Sequence, residues 1–193
     1  DYIWPDPSDP ERISGLREKA IRFREEGKLV ILKGLCAGIF EMQQRFRGVS
    51  NALVDPFLYP EFSDRLIGKI ADLKIRFWQT ALKELADVVD VVAEADDYGT
   101  QESQLIDPDY FRQLYKPHIS RIIKSIEEAA PDARIMFQSC GNVRPLIPDF
   151  IEMGIDIINP VHINAEGMEP YQLKKDFGND IVFWGGGVDT QKV

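Results

Sequence analysis

Short apolar runs alternate along the chain with longer stretches whose apolar residues recur at helical spacing. The first run, Leu29-Val30-Ile31-Leu32, sits between Gly27-Lys28 and Lys33-Gly34 and reads as a short buried strand ending in a turn. Four similar runs follow, at Val88 to Ala93, Ala133 to Phe137, Ile155 to Ile158 and Ile181 to Trp184. Each is short and rich in β-branched or aromatic residues, as strands buried on both faces are. Asp90, Arg134 and Asp156 interrupt three of the runs and blur their limits.

The intervening stretches predict helices. Pro60 to Leu85 carries Phe62, Leu66, Ile70, Leu73, Phe77, Leu82 and Leu85 at near-helical spacing. Asp107-Pro108 opens a second helix, with Asp107 as N-cap and Pro108 in the first turn. That helix carries Phe111, Leu114 and Tyr115, and Pro117 kinks or ends it. Further helices are expected over Ile119 to Ala129, over Pro145 to Met153 closed by Gly154, and over Pro170 to Phe177 closed by Gly178. Strands alternating with helices mean βαβ units and a parallel sheet, an α/β fold. Either a barrel or a doubly wound sheet has this periodicity. A closed barrel needs eight strands and typically about 250 residues. Five strands in 193 residues therefore predict an incomplete barrel, residues 1–193 forming one partial domain.

Composition changes this picture little. The chain is 44% hydrophobic and 28% charged, ordinary for a soluble globular protein. No stretch approaches the roughly 20 apolar residues needed to span a bilayer. The opening Asp1-Tyr2-Ile3-Trp4-Pro5 has neither a basic segment nor an apolar one, and no Met precedes it. A net charge of -9, from 32 acidic and 23 basic residues, repels nucleic acid and anionic membranes and leaves a small molecule as the expected partner. Cys36 and Cys140 are the only cysteines, and two reduced thiols in a cytosolic protein are the expected state.

Parallel α/β folds carry their chemistry at the C-terminal ends of strands. Glu94, Asp96 and Asp97 crowd together after the second run. Such carboxylates repel one another, so one could titrate abnormally, bind a cation or accept hydrogen bonds from substrate. A solvated acidic loop would look the same. Cys140 follows the third run, where a thiolate could bind zinc or a thiol could fill space. His162, after the fourth, fits a ligand, a proton donor or a hydrogen-bonded structural histidine, whereas His118 lies in a helical stretch and reads as structural. Gly185-Gly186-Gly187 matches no phosphate-loop pattern. It reads instead as a wall that lets substrate approach the backbone.

Taken together, several segments resemble the uroporphyrinogen-decarboxylase superfamily. They are Asp96-Asp97-Tyr98-Gly99-Thr100-Gln101, Asp107 to Phe111, Lys116-Pro117, Ser139 to Pro148, Asn159-Pro160-Val161 and Phe183 to Gln191. The similarity runs from about Val30 to the end and implies a (β/α)8 barrel, of which this chain would supply roughly the third to seventh strands. The decarboxylase branch uses an Arg-rich N-terminal segment and an Asp at an early strand end, and neither is found here. The methyltransferase branch binds zinc through a His-x-Cys pair and a later Cys, and activates a thiol acceptor for methylation from a corrinoid protein. Cys140 matches the Cys of that pair, but Gln138 stands where His is usual, and the later Cys would lie beyond Val193.

The resemblance implies catalytic roles for Asp96, Asp97 and His162 and a metal-ligand role for Cys140. Substrate binding is expected of Glu94, Gln101, Gln138, Asn142, Arg144, Asn159, Gly186 and Asp189. The expected activity is methyl transfer between a corrinoid protein and a thiol or pterin acceptor, with zinc as a possible cofactor. Decarboxylation of a porphyrinogen, or a non-catalytic binding barrel that has lost its ligands, are the alternatives. If a metal is held, His162 or Glu94 would replace the missing imidazole.

Overall fold

A computed structural model describes residues 2–192. Asp1, where the non-Met start is read, and Val193 lie outside the described residues. Five strands, β1 (Ile31–Lys33), β2 (Val91–Ala95), β3 (Arg134–Gln138), β4 (Ile157–Asn159) and β5 (Val182–Phe183), form one sheet in the order β1-β2-β3-β4-β5. Every neighbouring pair is parallel. A doubly wound sheet reverses its strand order at a switch point. Strictly sequential order is that of a barrel wall, so the fold is a partial (β/α)8-type barrel.

The helices pack outside this wall. They are α1 (Leu16–Glu25), α2 (Ile39–Arg47), α3 (Val49–Leu58), α4 (Pro60–Leu85), α5 (Pro108–Tyr110), α6 (Lys116–Ala129), α7 (Ile147–Glu152) and α8 (Pro170–Phe177). The limits of α4 are those its periodicity predicts, although Phe62 stays partly exposed under the Arg47 guanidinium. Asp107 caps α5 through the amides of Asp109 and Tyr110. A π-helical turn over Phe111–Tyr115 then leads into α6, with Pro117 in its first turn. The expected disruption thus falls just before the proline. Among the described residues no helix is long and apolar enough to cross a membrane.

Each strand begins one to three residues later than its apolar run. The leading residues Val88, Val89, Ala133, Ile155 and Ile181 are buried beneath the helices before the ladder starts. The interrupting acids explain themselves there too. Asp90 accepts the Val30 amide and Asp156 the Ile135 amide, each at 2.8 Å, so side chains extend the ladder at its lower edge. At the other end the ladder runs on into Lys33, Gln138 and Asn159, polar residues that an apolar pattern cannot include.

Two apolar clusters follow from strand alternation. The larger lies between sheet and helices and includes Trp78, Val92, Ile123, Phe137 and Ile158. The smaller, Val91, Ala93, Met136 and Ile157 with Ile31 against them, faces the barrel interior. This parity decides which strand-end side chains face the mouth.

Candidate functional site

Residues that keep step with the interior cluster reach the mouth. Counting two on from Ala93, Met136 and Ile157 gives Ala95, Gln138 and Asn159, which the register aligns in one layer. Two on from Ile31 gives Lys33, level with Ala93. These side chains line a cavity of about 310 Å³ at the strand ends. Gly34, Cys36 and Ala37 after β1, with Glu41 and Arg45 of α2, form its other wall.

The loops after β2 and β3 are tied together at this mouth. Asp97 Oδ1 accepts the Cys140 amide at 2.8 Å and Gln138 Nε2 at 3.2 Å. Gln138 Nε2 also donates to Cys140 Sγ at 3.2 Å. Burial first, and the Asp97 charge second, push the Cys140 thiol up to about 11. The Gly141 amide donates to His162 Nδ1 at 3.0 Å, so a neutral His162 carries its proton on Nε2. Gly141 adopts φ +76, and a Cβ there would lie 2.5 Å from the Gly99 carbonyl carbon. Only a glycine lets the two loops cross this closely.

Asp96 sits below this surface, 2% exposed. Its carboxylate accepts the amides of Phe40 and Glu41, at 2.8 and 2.9 Å, and the Tyr98 hydroxyl at 2.6 Å. Phe40 and Glu41 are in the first turn of α2, whose own N-cap, Gly38, offers no side chain. Asp96 is therefore the cap of α2, supplied from another strand, where a negative charge also complements the helix dipole. A Cβ on Gly38 would fall 2.0 Å from the Asp96 carboxyl carbon, so glycine is required. Burial pushes Asp96 up to about 7, against the opposing pull of Tyr98, the two amides and Lys74.

The other expected site residues divide by geometry. Glu94 borders the cavity, but strand alternation sets its side chain with Val92 toward α4. Its carboxylate pairs with Lys74 at 2.9 Å, both side chains at most 3% exposed, and accepts the Trp78 indole N–H. Lys74 spends its remaining donors on the Cys36 and Ala37 carbonyls, at 3.2 and 3.1 Å. Glu94 is thus held in a buried ion pair at the edge of the cavity. Asn142 holds the loop after β2 through Thr100, Glu102 and Gln104. Arg144 pairs with Asp176 and stacks over Phe177. Asp189 is bonded to Asn164, the Gln191 amide and Lys192. The bonds of these three brace the loops around the mouth. Gln101 accepts the Glu166 amide through its carbonyl, and Gly186, at φ +80, packs beside Val161 and Ile163. His118 lies in α6, bonded to Asp64 of α4 at 2.9 Å.

Lys33, Cys36, Glu41 and Arg45 also line the cavity, although the sequence pattern does not single them out. Counting two residues on from Ile31 would have found Lys33. The α2 pair could not be found that way, because nothing local marks that helix as part of the mouth. A metal centre fits poorly. Among the described residues no three His, Cys, Asp or Glu side chains gather where they could hold one ion. Cys140 and Cys36 are free thiols, and the residue against Cys140 Sγ is an amide donor rather than a second ligand.

Comparison with known proteins bears on this site. No curated protein matches the chain in sequence. Among solved structures it is similar to a methyltransferase from Methanosarcina mazei, at 18% identity and a TM-score of 0.56. The match covers 77% of this chain and 42% of that one, so the chain spans less than half the methyltransferase's length. That likeness carries the barrel fold. The family model described as uroporphyrinogen decarboxylase (URO-D) matches residues 4–185, and with nearly the whole chain matched this protein belongs to that family.

Proposed function

We propose that this chain supplies the mouth of an enzyme that transfers a methyl group between a corrinoid protein and a thiol or pterin acceptor. The observation that carries the reading is the cavity at the strand ends, walled by interior-facing Lys33, Gln138 and Asn159 in a URO-D barrel. The fold shared with a methyltransferase supports the choice of chemistry. The corrinoid of the partner would supply the methyl group as an electrophile.

What this chain's residues do follows from their hydrogen bonds. An acceptor must lose a proton as it is methylated. Asp97 is the base the geometry favours: Oδ1 is held by Cys140 and Gln138, and Oδ2 has no donor among the described residues. His162, with Nδ1 occupied by the Gly141 amide, offers Nε2–H as a donor to a ligand oxygen. Asp96 does not itself line the cavity and acts as a positioning residue, fixing the helix that carries Glu41 and Arg45. No step is routed through zinc, because the donor set does not fit it.

The test is loss of methylcobalamin absorbance on mixing the protein with a thiol or a tetrahydropterin. Turnover that falls roughly 100-fold or more in Asp97→Asn supports the reading, that being the usual worth of a general base. Absence of turnover with every acceptor sinks it. A second reading, metal-independent decarboxylation of a porphyrinogen, fits a mouth in which the described residues gather no three metal ligands, and release of carbon dioxide from such a substrate would detect it. A protein with neither activity would be a binding barrel.

A further inference from the structure

Gln138 and Asn159 are register partners on adjacent strands, in the layer where Ala95 leaves space above β2. Both side chains line the cavity. Each amide nitrogen already donates inside the protein. Gln138 Nε2 donates to Asp97 and Cys140, and Asn159 Nδ2 donates to the Trp184 carbonyl at 2.9 Å. Their oxygens, Oε1 and Oδ1, accept nothing from the described residues. Turning either amide over would break those bonds, which fixes the oxygens in place, and Asn159 Nδ2 keeps its second N–H free. The mouth therefore presents two fixed acceptors, on strands about 4.8 Å apart.

Charge narrows the ligand further. Arg45 is paired with Glu41 at 2.7 Å and Glu94 with Lys74, but Lys33 has no partner among the described residues. The unpaired Lys33 ammonium disfavours a second ammonium or a guanidinium group beside it. Paired acceptors beside a cation call for neutral N–H donors.

We infer that Gln138 and Asn159 form a recognition site for a neutral heterocycle bearing neighbouring N–H donors, such as the aminopyrimidinone ring of a pterin. The inference rests on the methyl-transfer reading for the ligand's role as acceptor, and it selects the pterin over the simple thiol. A small thiol has one weak donor and would leave at least one of the two acceptors without a partner on the ligand, which costs binding. Gln138 at the position where a zinc ligand is usual then has a use of its own: it exchanges a metal ligand for a fixed acceptor.

The test uses two probes with the whole protein in metal-free buffer: pterin, and an analogue methylated at N3 and on the exocyclic nitrogen. Wild-type protein should bind pterin about tenfold or more tightly than the methylated analogue, the worth of one to two hydrogen bonds. Gln138→Met and Asn159→Leu should each erase that preference while unfolding at a similar temperature. If either variant folds poorly, the preference of the other decides. Equal binding of both probes by the wild type, no pterin binding, or variants that keep the preference would overturn the inference. A protein that prefers pterin through this pair yet never consumes methylcobalamin keeps the site and loses the transfer reading. One that consumes methylcobalamin with 2-mercaptoethanol and ignores pterin does the reverse.

Discussion

Asp96 takes the amide hydrogen of Phe40 at 2.8 Å, a bond that joins the end of β2 to the first turn of α2 across 56 residues of chain. Helix α2 has no side-chain cap of its own. The orphan donors that begin every helix are here satisfied by a tertiary partner. Whatever loosens Asp96 therefore loosens the wall that carries Glu41 and Arg45.

The raised Asp96 value gives a pH signature. The native state holds this proton up to about pH 7, whereas an unfolded Asp releases it near 3.8. The native state binds more protons in between, so stability from this group is full below about 4 and is lost as pH rises through 7. The stability of wild type minus that of Asp96→Asn should fall across this window and flatten above it. Urea unfolding at several pH values measures the difference, and parallel curves for the two proteins would remove the titration from Asp96.

How far the sequence foretold this molecule depends on where each structural signal is stored. Five parallel strands, the limits of α4 and the Asp107 cap are local: apolar spacing and a cap residue lie within a few positions of one another. Helix α2 was invisible because its cap is Asp96 and its start is a bare Gly38. Helix α3 was invisible for another reason: Val49, Val54, Phe57 and Leu58 are exposed, so no polar face alternates with a buried one. In the site, composition drew attention to Glu94, Asp96 and Asp97 alike. Only strand parity separates them, turning Glu94 to α4, and only the fold buries Asp96 under Phe40.

The Lys74–Glu94 pair should behave as a buried ion pair. Lys74→Met leaves the Glu94 carboxylate in the core with the Trp78 indole as its remaining donor. A cost of about 3–5 kcal/mol is expected. Adding Glu94→Gln removes the stranded charge and should restore part of that loss. Denaturant unfolding of the two single variants and the double variant tests the coupling, and strictly additive effects would argue against it.

Zinc content offers a third test. Gln138 donates to Cys140 Sγ, and the described residues gather no three-ligand set. Cys140→Ser should leave the metal content of the purified protein unchanged. A stoichiometric ion lost in that variant would mean that Cys140 is a ligand after all, with partners from outside the described residues.

The crossing of the two mouth loops can be probed at Gly141. Its φ of +76 disfavours any L side chain, and a Cβ would press to 2.5 Å from the Gly99 carbonyl carbon and the Thr100 carbonyl oxygen. Those atoms are backbone, so no flexible side chain can yield. Gly141→Ala must therefore separate the loops, which displaces the Cys140 amide from Asp97 and the Gly141 amide from His162. The strain of a non-glycine residue there is of order 1–3 kcal/mol. The ladder and the helices beneath it are untouched, so folding should survive that cost while ligand binding at the mouth drops at least tenfold. Gly154→Ala is the control, since Gly154 has a similar φ of +88 but meets only an Ile123 methyl at 3.9 Å. That variant should lose a comparable amount of stability and keep its binding. Equal binding losses in the two variants would show that general destabilisation, not the loop crossing, sets the affinity.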